Sequence, residues 1–201
     1  MVGLSAVLDP APQLVGPSLL ARSQAGDRAA LEVLLAQNAG RVYRWAVLLG
    51  LSGPDAEDAA QEALATAARR ITTCEAEAAL TSWLFQIVRR VVANARRGAW
   101  FKRIFRAKDE SEHAAAFESE TVADTEMELA VRKCFRKLSP MHAEVLLLGE
   151  VEGYTRPEIA RMLDIAEGTV ASRLRLAKEA FKKRWDEEVG QMAGDPEGGA
   201  A

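Results

Sequence analysis

The chain of 201 residues has only two cysteines and two histidines, and no long apolar run. Cys74 and Cys134 stand far apart, and neither belongs to a CxxC pair or has a nearby histidine. A disulfide scaffold and a zinc site are therefore not expected. No stretch approaches the roughly 20 apolar residues that a membrane-spanning helix requires. We expect no metal ion, no cofactor, no membrane insertion, and a place in the reducing cytoplasm.

Runs of β-branched residues are also rare, whereas Ala, Leu, Arg and Glu dominate. This composition predicts an all-α fold, and the length allows one ordinary domain or two small ones. Residues 1–17 contain several prolines and lack the basic start and apolar stretch of a secretory signal. They predict a flexible lead-in.

Apolar periodicity predicts a first helical domain over residues 18–100. Asp27 is a candidate N-cap, one helix spans about 55–70, and another spans about 80–97. Residues 71–79 are polar and predict a loop. Trp83 lies on the apolar face of the last helix, so we expect it in the core rather than against a nucleic-acid base. Trp100, Phe101 and Phe105 stand among basic residues, and either packing or DNA contact fits them.

Charge is distributed very unevenly, although the net charge is only −3. Residues 109–128 hold eight acids and no base, and predict a flexible acidic linker over 101–126. Residues 129–185 hold twelve Lys and Arg against seven Asp and Glu, so a basic domain over 127–185 is expected. Residues 186–201 have five acids and no base, and predict a disordered tail.

The basic domain has the pattern of a helix-turn-helix. Ser139-Pro140 and Thr155 with Glu158 are helix-start signals, and a Gly-containing turn over 164–168 separates a short helix from a longer basic one. Such a second helix enters the major groove of DNA. The alternative is a solvated basic helix in a plain helical hairpin.

These residues resemble a known family. Residues 138–181, LSPMHAEVLLLGEVEGYTRPEIARMLDIAEGTVASRLRLAKEAF, resemble region 4 of bacterial sigma factors, and EIA…GTVxSRLxxAK is typical of the extracytoplasmic-function class. Upstream, GDRAALEVLL…GRVYRWA, DAEDAAQEAL and LTSWLFQIVRRVVANARR resemble region 2 of the same class. The resemblance implies a sigma factor, which binds core RNA polymerase, directs it to promoters, promotes DNA opening and has no catalytic residues of its own.

The resemblance also implies partners and contact residues. The polymerase contacts, made to the β′ clamp, would be Asp55, Glu57, Asp58, Gln61 and Glu62. The alternative is that these acids only stabilise the start of their helix. The resemblance implies a further contact with the β flap and control by a cognate anti-sigma factor.

Two sets of residues are implied as contacts to promoter DNA. At the −10 element, where an unstacked base is captured, they are Thr72, Thr73, Arg89, Arg90, Asn94, Arg96 and Arg97. At the −35 element they are Arg156, Thr169, Ala171, Ser172, Arg173, Arg175 and Lys178. The family usually has Asn and Asp at positions 90 and 94 and often Lys at position 171, so the promoter sequence itself is not predicted.

Two other functions fit parts of the sequence. An operator-binding regulator would need the helix-turn-helix but not the DAEDAAQE and WLFQIVRR segments, and a protein–protein adaptor would not need the basic helix.

The acidic linker either imitates RNA phosphates in the polymerase channel or only keeps the chain soluble.

Overall fold

A computed structural model describes residues 17–106 and 125–194, with side chains from 19 to 98 and from 125 to 190. Residues 1–16 of the predicted lead-in, 107–124 of the predicted linker and 195–201 of the predicted tail lie outside the described residues. So do the side chains of Trp100, Phe101 and Phe105. The described residues form helices and turns without a strand, which confirms the all-α prediction.

Within residues 17–106 and 125–194, eight α-helices form two units. One unit contains α1, nearly all of α2, α3 and α4, and the other contains α5 to α8. The bounds are α1 Pro17–Gln24, α2 Arg28–Leu48, α3 Gly53–Arg70, α4 Leu80–Arg106, α5 Glu126–Arg136, α6 Pro140–Leu146, α7 Arg156–Leu163 and α8 Glu167–Gly194.

The first unit begins with a well-defined helix start. Asp27 precedes α2, and its carboxylate accepts a hydrogen bond from the Ala30 amide at 3.1 Å, as expected of an N-cap. This hydrogen bond, together with one from Arg22, holds the pKa of Asp27 below its ordinary value. In the core, the Trp45 and Phe85 rings meet edge to face with centroids 5.4 Å apart. This contact joins α2 to α4.

The alanines of α3 bring that helix close to α4. Its buried side chains are small: Ala56, Ala59, Ala60, Ala63 and Ala67, with Gly53 at the helix start. Because no bulky side chain separates the two backbones, α3 packs closely on α4. The opposite face of α3 is left to polar residues.

In the second unit, α5, α6 and α7 all pack against α8. The start of α6 follows its sequence signal, since the Ser139 hydroxyl accepts from the His142 amide, and α5 begins with a capping box formed by Thr125 and Glu128. The core contains Phe135, whose ring meets Phe181 edge to face at 5.6 Å, and Phe181 in turn stacks on Trp185 at 6.0 Å. A π-helical turn, Leu147–Val151, follows α6.

The expectation of a disordered tail from residue 186 is wrong for residues 186–194, because α8 continues to Gly194. Three contacts stabilise this extension. Lys182 pairs with Asp186 at 2.7 Å, Arg184 pairs with Glu187 at 3.1 Å, and Glu188 is nearly buried against α5, where it binds Lys137 at 2.5 Å. Three of the five acids that suggested a tail are therefore partners of basic residues.

The linker prediction also changes at its ends. Residues 101–106 continue α4, and α5 begins at Glu126, so helix extends into both ends of the predicted linker. The polar stretch 71–79 is not an open loop either, because it contains the 3₁₀ turns Ile71–Thr73 and Glu77–Ala79.

Removal of residues 186–201 is expected to lower the melting temperature of the second unit by about 4–8 °C. The reason is the loss of the contact between Lys137 and Glu188, for which about 1 kcal/mol is a reasonable magnitude in a partly buried pair. Removal of 195–201 alone is the control and should leave the melting temperature unchanged. Equal melting temperatures for the two truncations, measured by circular dichroism, would show that the extension does not stabilise the unit.

The start of α7 predicts a pH dependence. The Glu158 carboxylate accepts hydrogen bonds from the Thr155 hydroxyl at 2.6 Å and the Thr155 amide at 2.7 Å, and these bonds lower its pKa from the ordinary 4.5. The resulting stabilisation is present above pH 4.5 and is lost as the pH falls through the lowered folded value. The stability difference between the wild type and Glu158→Gln, measured by denaturant unfolding, should therefore shrink below pH 4.5. A difference that does not vary with pH contradicts this account.

Candidate nucleic-acid interface

The acidic residues of α3 share one exposed face. The five residues predicted to contact polymerase are all exposed, and they alternate with the buried alanines along the helix: Asp55, Glu57, Asp58, Gln61 and Glu62. Pro54 stands at the helix start, where its missing N–H costs nothing, and the carboxylates follow within the first turns, where the helix dipole favours them. The result is a continuous anionic surface suited to a basic partner.

Thr72 and Thr73 lie in the turn that follows α3, and both are exposed. The flanking side chains of Ile71 and Cys74 are buried, which fixes the two ends of the turn. The Thr73 hydroxyl donates to the Arg70 carbonyl at 2.8 Å and accepts from the Trp83 indole N–H at 3.1 Å. The structure therefore brings two predicted −10 residues to one exposed turn, although their hydroxyls differ in what they bind.

Trp83 does not lie in the core, contrary to the expectation from its position on the helix. It is half-exposed at the start of α4, and its indole N–H binds Thr73. The apolar period placed it correctly on the inner side of α4 but could not show that the helix start reaches the turn at 71–73. Gln24 was missed altogether, and its amide donates to the carbonyls of Ile71 and Cys74. No local sequence signal marks a contact across 47 and 50 residues.

The basic residues of α4 are distributed around the solvent side of the helix. Arg90, Asn94 and Arg97 are exposed, and Arg89 and Arg96 are half-buried. Arg97 donates a hydrogen bond to the side-chain oxygen of Asn94. Asn94, which departs from the usual family residue, is thus hydrogen-bonded to Arg97, which lies about one helical turn further along α4.

The helix-turn-helix has the expected geometry. The short helix α7 is capped by Asp164, which has a left-handed backbone with φ 54°, and α8 begins three residues later at Glu167. Ile159 and Val170 are completely buried between the two helices. The π turn approaches α8 closely: a Cβ on Gly149 would lie 3.1 Å from a methyl carbon of Leu174. Glycine at this position lets the turn pack against α8.

The predicted −35 residues lie at the start of α7 and along the first half of α8. Arg156, Ser172, Arg175 and Lys178 are exposed, whereas Thr169, Ala171 and Arg173 are half-buried. The Ser172 hydroxyl donates to the Thr169 carbonyl at 3.0 Å, so its proton is used within the helix. Those on α8 form a polar strip on the side of the helix that faces away from the core, and Arg156 lies outside this strip at the start of α7.

Several cations of α8 already have acidic partners. Arg175 pairs with Glu179 at 2.8 Å, and Lys178 pairs with Glu150 of the π turn at 2.7 Å. Among the described residues, Arg156 and Arg173 have no such partner. To contact DNA, Arg175 and Lys178 must therefore exchange a carboxylate partner for a phosphate or a base edge. Arg156 and Arg173 need no such exchange.

The described residues contain no group of three or more His, Cys, Asp or Glu side chains arranged to hold a metal ion. Both cysteines are buried, and burial raises the pKa of Cys134 to about 11. In the part of the chain that the structure describes, no helix has the length and apolar character needed to cross a membrane.

Comparisons with known proteins agree with this arrangement. Residues 34–102 match sigma-70 region 2, and residues 128–181 match sigma-70, region 4. The ECF RNA polymerase sigma factors SigM and SigL of Mycobacterium tuberculosis are 33% and 28% identical, with the alignments covering 80% and 79% of this chain and 79% and 90% of theirs.

The fold is also similar to that of a sigma factor of known structure. A crystal structure of the sigma factor RpoE with the anti-sigma factor NepR from Bartonella quintana aligns with a TM-score of 0.60 at 21% identity, covering 78% of this chain and 94% of that one. Both matched regions and their order coincide with the two helical units described above. The chain therefore belongs to the extracytoplasmic-function (ECF) class of RNA polymerase sigma factors, which direct polymerase to promoters.

Proposed function

We propose that the chain divides the work of a sigma factor among three surfaces. The acidic face of α3 binds the β′ clamp of core RNA polymerase, the turn at 71–74 with the basic side of α4 binds the opened −10 element, and α7 with α8 reads the −35 element. The chain acts in the cytoplasm, carries out no chemistry itself, and supplies binding energy for DNA opening. The observation that carries the proposal is the separation of an exposed anionic face and two exposed polar, basic surfaces onto different helices.

The α3 surface supports polymerase binding by its charge and its rigidity. All five predicted contact residues are exposed, and the buried side of the same helix is alanine and glycine. Alanine has no rotamers, so the acidic side chains are presented on a backbone whose position is fixed by close packing. Complementary charge speeds encounter with a basic surface and selects it over other partners.

The two DNA surfaces support distinct roles. Arg156 and Arg173 lie at the helix-turn-helix, where guanidinium groups suit guanine edges and phosphates. The turn at 71–74 instead presents small hydroxyl side chains, and the arginines of α4 follow on the helix after it, a combination suited to an extruded base and its backbone. The second unit is also the part of the chain proposed to contact the β flap.

An anti-sigma factor is the proposed regulator. The RpoE structure from Bartonella quintana contains the anti-sigma factor NepR, and this chain shares the fold of that sigma factor. We propose that a cognate inhibitor covers one or more of the three surfaces and so keeps the chain from polymerase or promoter.

Run-off transcription with purified core polymerase tests the function itself. The chain is expected to make core polymerase initiate at specific sites on a promoter-containing template, because only a sigma factor supplies both polymerase binding and promoter opening. An operator-binding regulator or an adaptor would bind DNA or protein without making core polymerase initiate, and that result would overturn the proposal.

The α3 surface is tested by reversing charge. Asp58→Lys is expected to weaken binding to core polymerase by at least about tenfold, because like charges placed opposite each other cost several kcal/mol. Glu32→Lys, an equal charge change at an exposed position of α2, is the matched control. Binding is measured by fluorescence anisotropy of the labelled chain, with helicity checked by circular dichroism. Equal losses in the two variants would mean that only net charge matters.

The ion pair between Lys178 and Glu150 predicts a gain of DNA affinity. Glu150→Gln releases Lys178, and if Lys178 binds a phosphate, promoter binding by the holoenzyme should tighten and its log–log salt slope should steepen by up to about 0.9. Asp186→Asn releases Lys182 with the same charge change and is the control. The double variant with Lys178→Ala should abolish the gain. Equal effects of Glu150→Gln and Asp186→Asn would remove Lys178 from the predicted contacts.

A further inference from the structure

The turn at 71–74 is held at both ends by one side chain from α1. The Gln24 amide nitrogen donates to the Ile71 carbonyl at 3.2 Å and to the Cys74 carbonyl at 2.6 Å. These carbonyls lie on either side of Thr72 and Thr73, so the two hydrogen bonds span the exposed part of the turn. Because Gln24 is 47 and 50 residues away in sequence, the shape of the turn depends on tertiary structure.

A second set of hydrogen bonds fixes Thr73. A threonine hydroxyl has one proton to donate, and Thr73 gives it to the Arg70 carbonyl. One lone pair of the same oxygen accepts the Trp83 indole N–H. The Thr73 hydroxyl therefore cannot donate to a nucleic-acid base without giving up the bond to α3.

Thr72 differs from Thr73 in each of these respects. Its side chain is exposed, and its hydroxyl has no hydrogen bond to any described residue. Its proton and both lone pairs are available to a ligand. The two neighbouring threonines, which the sequence could not distinguish, therefore have different capacities for binding.

We propose that Gln24, Thr73 and Trp83 are positioning residues that hold the turn at 71–74 in the shape that accepts an unstacked −10 base, and that Thr72 supplies the hydroxyl that binds this base. This inference rests on the proposed −10 role of the turn. A turn ordered before DNA arrives loses less conformational freedom when the base enters, so its order assists the opening step. Duplex recognition at −35 and assembly with core polymerase do not involve the turn.

Four single substitutions separate the roles. Trp83→Phe removes the indole N–H and keeps a ring, Thr73→Val removes the hydroxyl at constant shape, and Gln24→Met removes both amide donors at similar length. Thr72→Val removes the proposed base contact. Gln37→Met, at an exposed position of α2, is the matched control for Gln24→Met. Thr73→Ser keeps the hydroxyl and should behave as the wild type.

The measurements use the assembled holoenzyme. The rate of promoter opening is followed by the fluorescence of 2-aminopurine in the −10 element. The affinity of the holoenzyme is measured for a fork promoter whose −10 element is already single-stranded. Trp83→Phe, Thr73→Val, Gln24→Met and Thr72→Val should each reduce both quantities by about fivefold, the effect of one or two lost hydrogen bonds. Gln37→Met should not, and affinity for core polymerase should not change in any variant.

Combination of substitutions gives the decisive result. Trp83→Phe and Thr73→Val both remove the hydrogen bond between the indole and Thr73, and Thr73→Val also removes the bond to Arg70, so the double variant should lose little more than Thr73→Val alone. Thr72→Val combined with Trp83→Phe should also lose less than the product of the two losses, because Trp83 acts through the turn that presents Thr72. If the losses from Thr73→Val and Trp83→Phe multiply, the two side chains act independently and the positioning role of Trp83 through Thr73 is wrong.

Failure of the inference can be told apart from failure of the proposed function. If Thr72→Val slows opening while Trp83→Phe and Gln24→Met do not, the −10 role stands and the positioning inference falls. If neither Thr72→Val nor any other substitution in the turn changes opening by an active holoenzyme, the −10 role of the turn falls, and the inference with it.

Discussion

The packing of three helices against one face of α8 determines what the rest of the second unit can do. Val170, Ala177 and Phe181 follow one another along that face and are buried, because α5, α6 and α7 all require an apolar partner. Because the buried side chains occupy one side of the helix, the side chains between these positions point towards solvent. The polar strip that includes Ser172 and Arg175 is therefore a direct consequence of how the core is built.

In the first unit, the buried face of α3 packs through smaller residues. The buried face of α3 is almost entirely alanine, which buries little area per residue but permits close approach to α4. The exposed face can then carry acids at nearly every outward position, since none of them is needed for packing. This close packing sets the position of the turn that follows α3. Hydrogen bonds from α1 and α4 then hold the turn in place.

Most of the fold could be predicted because its determinants are local. Asp27, Ser139 and the pair Thr155 and Glu158 act within one helical turn of the starts that they mark, and the period of apolar residues shows which side is buried. The exposed residues of α3 follow from that period without knowledge of the neighbouring helices. The family resemblance then assigned functions to these positions.

What could not be predicted depends on contacts between residues far apart in sequence. Glu188 belongs to an acidic stretch by composition, yet its partner Lys137 lies 51 residues earlier. Trp83 has the spacing of a core residue, but its indole reaches a turn whose shape the sequence does not specify. The difference between Thr72 and Thr73 arises in the same way, since adjacent residues of one type have equal propensities and differ only in their tertiary neighbours.

The acidic partners of the α8 cations affect how the chain would be distributed in a cell. Arg175, Lys178, Lys182 and Arg184 are all neutralised by carboxylates of the same unit. Non-specific attraction to DNA depends on the number of phosphates that a protein neutralises, so these four ion pairs reduce the attraction of α8 to random chromosomal sequence. A chain that is not retained by the bulk of the genome stays in the freely diffusing pool, where it competes for polymerase before it meets a promoter.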